Sequence, residues 1–187
     1  MISKRIFAAM RSAALGIVLL AIGIGTSAAD PDWIYPTIQG FGKIVPAPEA
    51  KMQPSKEADY KVVFSITAGG DADKVNGSLD RVARAVNLFT SAGVPLSHLH
   101  FVAVVHGPAT STVIDNAHYQ QKFSSDNPNL KLIGALDKAG VKVVVCAQAL
   151  AHNGLPRDWV DPQVEITLSA ITDIIMLEQQ GFVIYPL

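Results

Sequence analysis

Four apolar runs constrain what this 187-residue chain can fold into: KVVFSI (61–66), HLHFVAVVHG (98–107), VKVVVC (141–146) and FVIYP (182–186). Each is short and nearly continuous in its apolar character, the pattern of a strand buried on both faces. Between the runs the spacing becomes helical. Leu79, Val82, Ala83, Val86 and Phe89 recur at intervals of three and four, after Asn76 and Ser78, which suit a helix cap. Leu130, Ile133 and Leu136 share one face after DNPN. PQVEI (162–166) reads as a short fourth strand and TLSAITDIIMLEQQG (167–181) as the last helix. Strands alternating with helices pair in parallel and carry helices on both faces. The expected fold is a small three-layer α/β domain, flavodoxin-like, with a mainly parallel sheet of about five strands.

Upstream of this pattern, residues 30–59 hold Pro31, Pro36, Pro46, Pro48 and Pro54 and show neither helical nor strand periodicity. The stretch DWIYPTIQGFG nevertheless carries Trp33, Ile34, Tyr35, Ile38 and Phe41, too many large apolar groups for a solvated linker. It is expected to lie on its own domain or on a neighbouring subunit. The last helix raises a related point. Leu168, Ile171, Ile174, Ile175, Met176 and Leu177 surround most of it, which predicts burial on more than one side and hence a subunit interface.

Residues 1–29 read as a secretory signal peptide. Lys4, Arg5 and Arg11 form a basic start, AALGIVLLAIGIG an apolar core, and TSAAD a cleavage site after Ala28 or Ala29. A retained anchor is the alternative, although the core is short against the roughly 20 residues of a span. The expected compartment is the periplasm, with no stable membrane association after cleavage. Removal of the signal leaves twelve basic residues against sixteen acidic ones, a net charge of −4. That balance excludes a nucleic-acid footprint, which needs a basic face. The remaining 30–187, about 158 residues, suffices for one domain with a real core.

Parallel sheets bind ligands beyond the carboxyl ends of their strands. Three such ends carry distinctive residues: TAGG with Gly69, His106-Gly107, and the only cysteine, Cys146, followed by Gln148. His152 and Asn153 belong to the loop that would close over this edge. A strand-end thiol beside the first N–H groups of AQAL is placed where such groups stabilise a thiolate, and His106, if adjacent, would serve as its proton partner. The competing reading is plain: a free cysteine in KVVVCA also makes good core filler. His106 alone reads equally as a structural hydrogen-bonding group, and Asn153-Gly154 as a turn.

Other chemistries find no support. His98 and His100 are expected two apart on one strand, but zinc takes three or four ligands, and His106 lies roughly 20 Å further along. AGGDAD lacks the spacing of a nucleotide fingerprint, and no serine sits in a nucleophile elbow. Neither a metal nor a cofactor is called for, and a hydrolase or nucleotide-dependent enzyme is disfavoured.

The ordered series YKVVFSITAG, LFTSAGVP, FVAVVHGPA, LIGALDKAGVKVVVCAQAL, HNGLP and LEQQGFVIYP resembles the DsrE/DsrF-like family over roughly 60–186, in particular its exported branch with an aromatic arm. The resemblance implies a DsrE-like α/β domain assembled as a homotrimer or homohexamer. It also implies a sulfur carrier that holds sulfane sulfur as a persulfide, with Cys146 as the acceptor position and a donor or acceptor protein as partner. His106, Asn153, Gln148, His152, Gly69 and Gly107 are the residues expected around it. Two other readings stay open: a periplasmic small-ligand-binding oligomer in which Cys146 only lines the wall, and an interaction protein built around the arm and the last helix.

Overall fold

The computed structural model describes residues 30–187, so the proposed signal peptide lies outside the described residues. Five strands form one parallel sheet: β1 (Tyr60–Ile66), β2 (Leu99–Val105), β3 (Lys142–Cys146), β4 (Glu165–Thr167) and β5 (Val183–Pro186), in the order β4-β3-β2-β1-β5. The chain steps outward from β1 to β4 and then returns across the sheet to place β5 on the far side of β1. Right-handed crossovers require a return of that kind to pass over the opposite face.

The two faces are separated by the strand alternation. Phe64, Ile66, Phe101, Ala103, Val105, Val143 and Val145 pack with helices α1 (Gly77–Ser91) and α3 (Leu130–Lys138) in the main core. Their neighbours Val63, Val104, Val144 and Cys146 point the other way, against α5 (Ala170–Gln179) through Ala170, Ile174 and Leu177. α2 (Asn116–Phe123) and the six-residue α4 (Ala147–His152) complete the helices.

Local chemistry explains the element ends. Asn76 is the N-cap of α1 and accepts from the N–H groups of Ser78 and Leu79, whereas Ser78 lies inside the first turn rather than capping it. Asn129 begins α3 with no side-chain cap bond; its carboxamide instead accepts from Asn76 N–H at 2.7 Å and donates to Asn127, tying the two helix starts together. The stretch after β2 resolves into a 3-10 turn, Gly107–Val113, followed by α2. His98 belongs to a short 3-10 turn before β2, not to the strand. The expected His98–His100 pair on one strand face is therefore absent, and His100 instead faces Asp59 at 3.3 Å.

The arm packs on its own chain. Ile38 and Ile44 are each 2% exposed, and Ile34 and Ile44 exchange backbone hydrogen bonds that close a small loop. Asn87, buried in α1, accepts from the N–H groups of Thr37 and Ile38 and donates to the carbonyls of Phe41 and Gly42. No helix among the described residues is long and apolar enough to cross a membrane.

The last helix is covered by its own domain on one side. Ala170, Ile174 and Leu177 face the sheet, while Leu168, Ile171, Ile175 and Met176 are 50–70% exposed on its outer side and in the turn before it. One stripe satisfies the domain; the other apolar residues have no cover among the described residues.

Candidate functional site

The carboxyl edge of the sheet assembles residues from four strands. β2 and β3 are paired up to Val105 and Val145, so the next positions, His106 and Cys146, fall side by side in register. Cys146 is in turn paired with Thr167 of β4. The two-residue alternation puts His106, Cys146 and Ser65 of β1 on the face covered by α5. From β3 the chain enters α4, whose Leu150 joins the main core; from β4 it enters α5 on the other face. Adjacent strands that exit toward opposite faces form the crevice in which open α/β sheets bind ligands. Cys146 and Thr167 are paired directly across that boundary.

Cys146 closes β3 and caps α4: its Sγ accepts a hydrogen bond from Ala149 N–H at 3.3 Å. The thiol is buried, 5% exposed, among Val63, Val104, Val144, Ala149 and Ala170. His106 is not its hydrogen-bonding partner. The Nε2 of His106 lies 2.9 Å from Ser65 Oγ, and this pairing corrects the expectation of a direct Cys–His contact. Ser65 was missed by sequence reasoning, although it is the one polar residue within the apolar run VVFSI.

The other expected residues take distinct places. Asn153 Nδ2 donates to Ala149 O at 2.7 Å and to Gly107 O at 3.3 Å, joining the end of α4 to the exit of β2. Gly107 adopts φ +56, which lets the chain turn sharply after His106. Gln148 reaches Leu168 O at 3.3 Å and ties α4 to the turn before α5. Gly69 is exposed beside Pro108, where an added Cβ would stand 3.4 Å from that ring. His152 is exposed at the end of α4. Asn153 and Gln148 thus brace the edge, while His152 and Gly69 stand on its outer rim. No group of three or more His, Cys, Asp or Glu able to hold a metal occurs among the described residues.

Burial lowers the pKa of His106 below the ordinary histidine value, since desolvation disfavours the imidazolium. The folded state then binds fewer protons at this site than the unfolded chain. Stability from this group is complete above about pH 6.5 and is lost as the pH falls below it. The window lies well above that of Asp115, whose carboxyl is held below its usual value despite an opposing desolvation effect, chiefly by the N–H and ring of His118. Thermal melts between pH 7.5 and 5 are therefore expected to show a fall in Tm that is smaller in His106→Gln. An equal fall in both proteins would remove His106 as its source.

The family model of the DsrE/DsrF-like family matches residues 60–186. No curated protein matches the chain. Among solved structures, a protein of unknown function from Methanobacterium thermoautotrophicum is similar at 19% identity over 69% of this chain and 100% of that one, with a TM-score of 0.47. With the family model spanning every strand and helix of the sheet domain from β1 to β5, the chain belongs to the DsrE/DsrF-like family.

Proposed function

We propose that this protein is an exported sulfur carrier that accepts sulfane sulfur as a persulfide on Cys146. Family membership suggests a sulfur-relay-related role. The observation that carries the finer reading is the placement of the thiol at the carboxyl end of β3, with Sγ already accepting the N–H of Ala149. A thiolate or a terminal persulfide anion needs such a donor when it is withdrawn from water. In loading, the thiolate attacks a sulfane sulfur of a polysulfide or of a donor persulfide. One S–S bond forms and one breaks: the attacked sulfur becomes the outer atom of the Cys146 persulfide, and the rest of the donor leaves as a thiolate or shortened polysulfide. With no second cysteine in the chain to resolve it, the product stays a persulfide until an acceptor thiol takes the sulfur. His106 stands one strand away as the candidate proton partner, its Nε2 held by Ser65.

Export through residues 1–29 would place this chemistry in the periplasm. Assembly with further copies of itself, as a trimer or hexamer, fits the uncovered Leu168, Ile171, Ile175 and Met176. A second reading rests on the 5% exposure of Cys146: a ligand-binding module in which the thiol is part of the apolar wall. Iodoacetamide separates the two. The carrier reading expects Cys146 to be alkylated in the native protein at a rate unchanged by mild denaturant. Alkylation that occurs only on global unfolding assigns the thiol to the wall.

A further inference from the structure

On the face opposite Cys146, a groove of about 510 Å³ runs between α1 and the margin of the sheet, lined by Val62, Phe64, Arg81, Arg84, Leu88 and Tyr185. It exists because α1 covers β1 and β2 but not β5, whose residues are all exposed. The floor is aromatic, with Phe64 and Tyr185 meeting edge-on at 5.9 Å. The volume lies within the roughly 300–1,000 Å³ typical of small-molecule sites, which are likewise apolar with a few directed polar groups.

Both charged residues of the lining are arginines. The acidic neighbour of Arg84 is Asp80, only at 3.9 Å, and that carboxylate already accepts Gly42 N–H at 2.7 Å. The Nε of Arg84 is buried with no hydrogen-bond partner among the described residues. The side chain as a whole is 43% exposed, so an anion in the groove meets the guanidinium from its open side. Arg81, exposed one turn earlier on α1, forms no ion pair among the described residues and adds a second positive charge at the rim.

We infer that this groove binds an amphipathic monoanion, its apolar body against Phe64, Leu88 and Tyr185 and its carboxylate-type head at Arg84 and Arg81. The site is independent of the thiol chemistry, because Phe64 and Cys146 belong to opposite faces of the sheet.

Calorimetric titration of the purified protein with decanoate, decan-1-ol and decyltrimethylammonium, each below its micellar range, tests the assignment. Decanoate is expected to bind saturably, once per chain, and about tenfold tighter than decan-1-ol, the discrimination that one charge-assisted contact supplies. Decyltrimethylammonium is expected to bind more weakly than either. Arg81→Gln and Arg84→Gln should each bring decanoate toward decan-1-ol, and Leu88→Glu should abolish binding of both. Arg81→Gln changes an exposed side chain, so the charge test survives if the Arg84 variant folds poorly. Equal affinity for decanoate and decan-1-ol, unsaturable binding, or a preference that outlasts both arginine changes overturns the proposal. So does a wild-type oligomer that takes up no decanoate and is split into monomers by Leu88→Glu, which would give the groove to a second copy.

Discussion

Replacing Asn87 with leucine is expected to lower stability by about 3–5 kcal/mol, the cost of several buried backbone groups left without partners at roughly 1–3 kcal/mol each. The Asn87 carboxamide is fully buried and serves as the arm's anchor. Its oxygen receives two arm N–H groups at 3.0 and 2.8 Å, and its nitrogen donates to two arm carbonyls at 3.0 Å. Leucine has similar volume and offers no replacement. For a domain of this size the loss corresponds to a fall in Tm of roughly 10 °C. The arm should also loosen first, so limited trypsin digestion should cut at Lys43 and Lys51 faster than in wild type. A Tm within a degree or two of wild type and unchanged digestion would mean that the arm does not depend on this residue.

Gly42→Ala is expected to act at the same joint by a different cause. Gly42 has φ +62, and an added Cβ would lie 2.2 Å from Arg84 N and 2.4 Å from Ala83 C, inside the backbone of α1. No side-chain rotation relieves that contact. The arm must lift away, giving up the bond from Gly42 N–H to Asp80 at 2.7 Å and the burial of Ile38 and Ile44. A loss of roughly 3 kcal/mol or more follows, in the range of severe overpacking. Gly40→Ala is the internal control. Gly40 has φ +80 but nothing within 4 Å of the added Cβ, so only the backbone penalty of roughly 1–2 kcal/mol applies. Equal Tm shifts for the two variants would show that the close approach to α1 contributes nothing.

These two joints mark where sequence reasoning stopped. β1, β2 and β3 were legible because buried parallel strands are written as uninterrupted apolar runs, and α1 because Leu79, Val82, Ala83 and Val86 keep one face; FVIYP carries the same pattern but forms an edge strand whose residues are all exposed. Asn87 follows directly on that face, yet a single amide in an amphipathic helix does not announce which distant carbonyls it will meet. The arm's aromatics signalled docking, but its receptor, the α1 backbone at Ala83 and Arg84, is a matter of tertiary approach. At the carboxyl edge, the strand ends placed His106 and Cys146 along one edge but left open whether they are adjacent; the register of β2 and β3 sets them side by side. They did not reveal that Ser65, one strand further, takes the imidazole. Nor did they decide the burial of the thiol, since α5 reaches Cys146 from the opposite end of the fold through Ala170. The exposed stripe of α5 is the side that the apolar spacing assigned to a subunit interface, since helical spacing counts apolar residues without saying what covers them.

The central claim is that Cys146 takes up sulfur. It is tested most directly by intact mass of the native protein after polysulfide treatment, beside Cys146→Ser. Wild type is expected to gain one or more sulfur atoms, a gain reversed by reductant and absent from the variant. A folded wild-type protein that gains no sulfur and also resists alkylation would contradict it, and would leave Cys146 as part of the wall between β3 and α5.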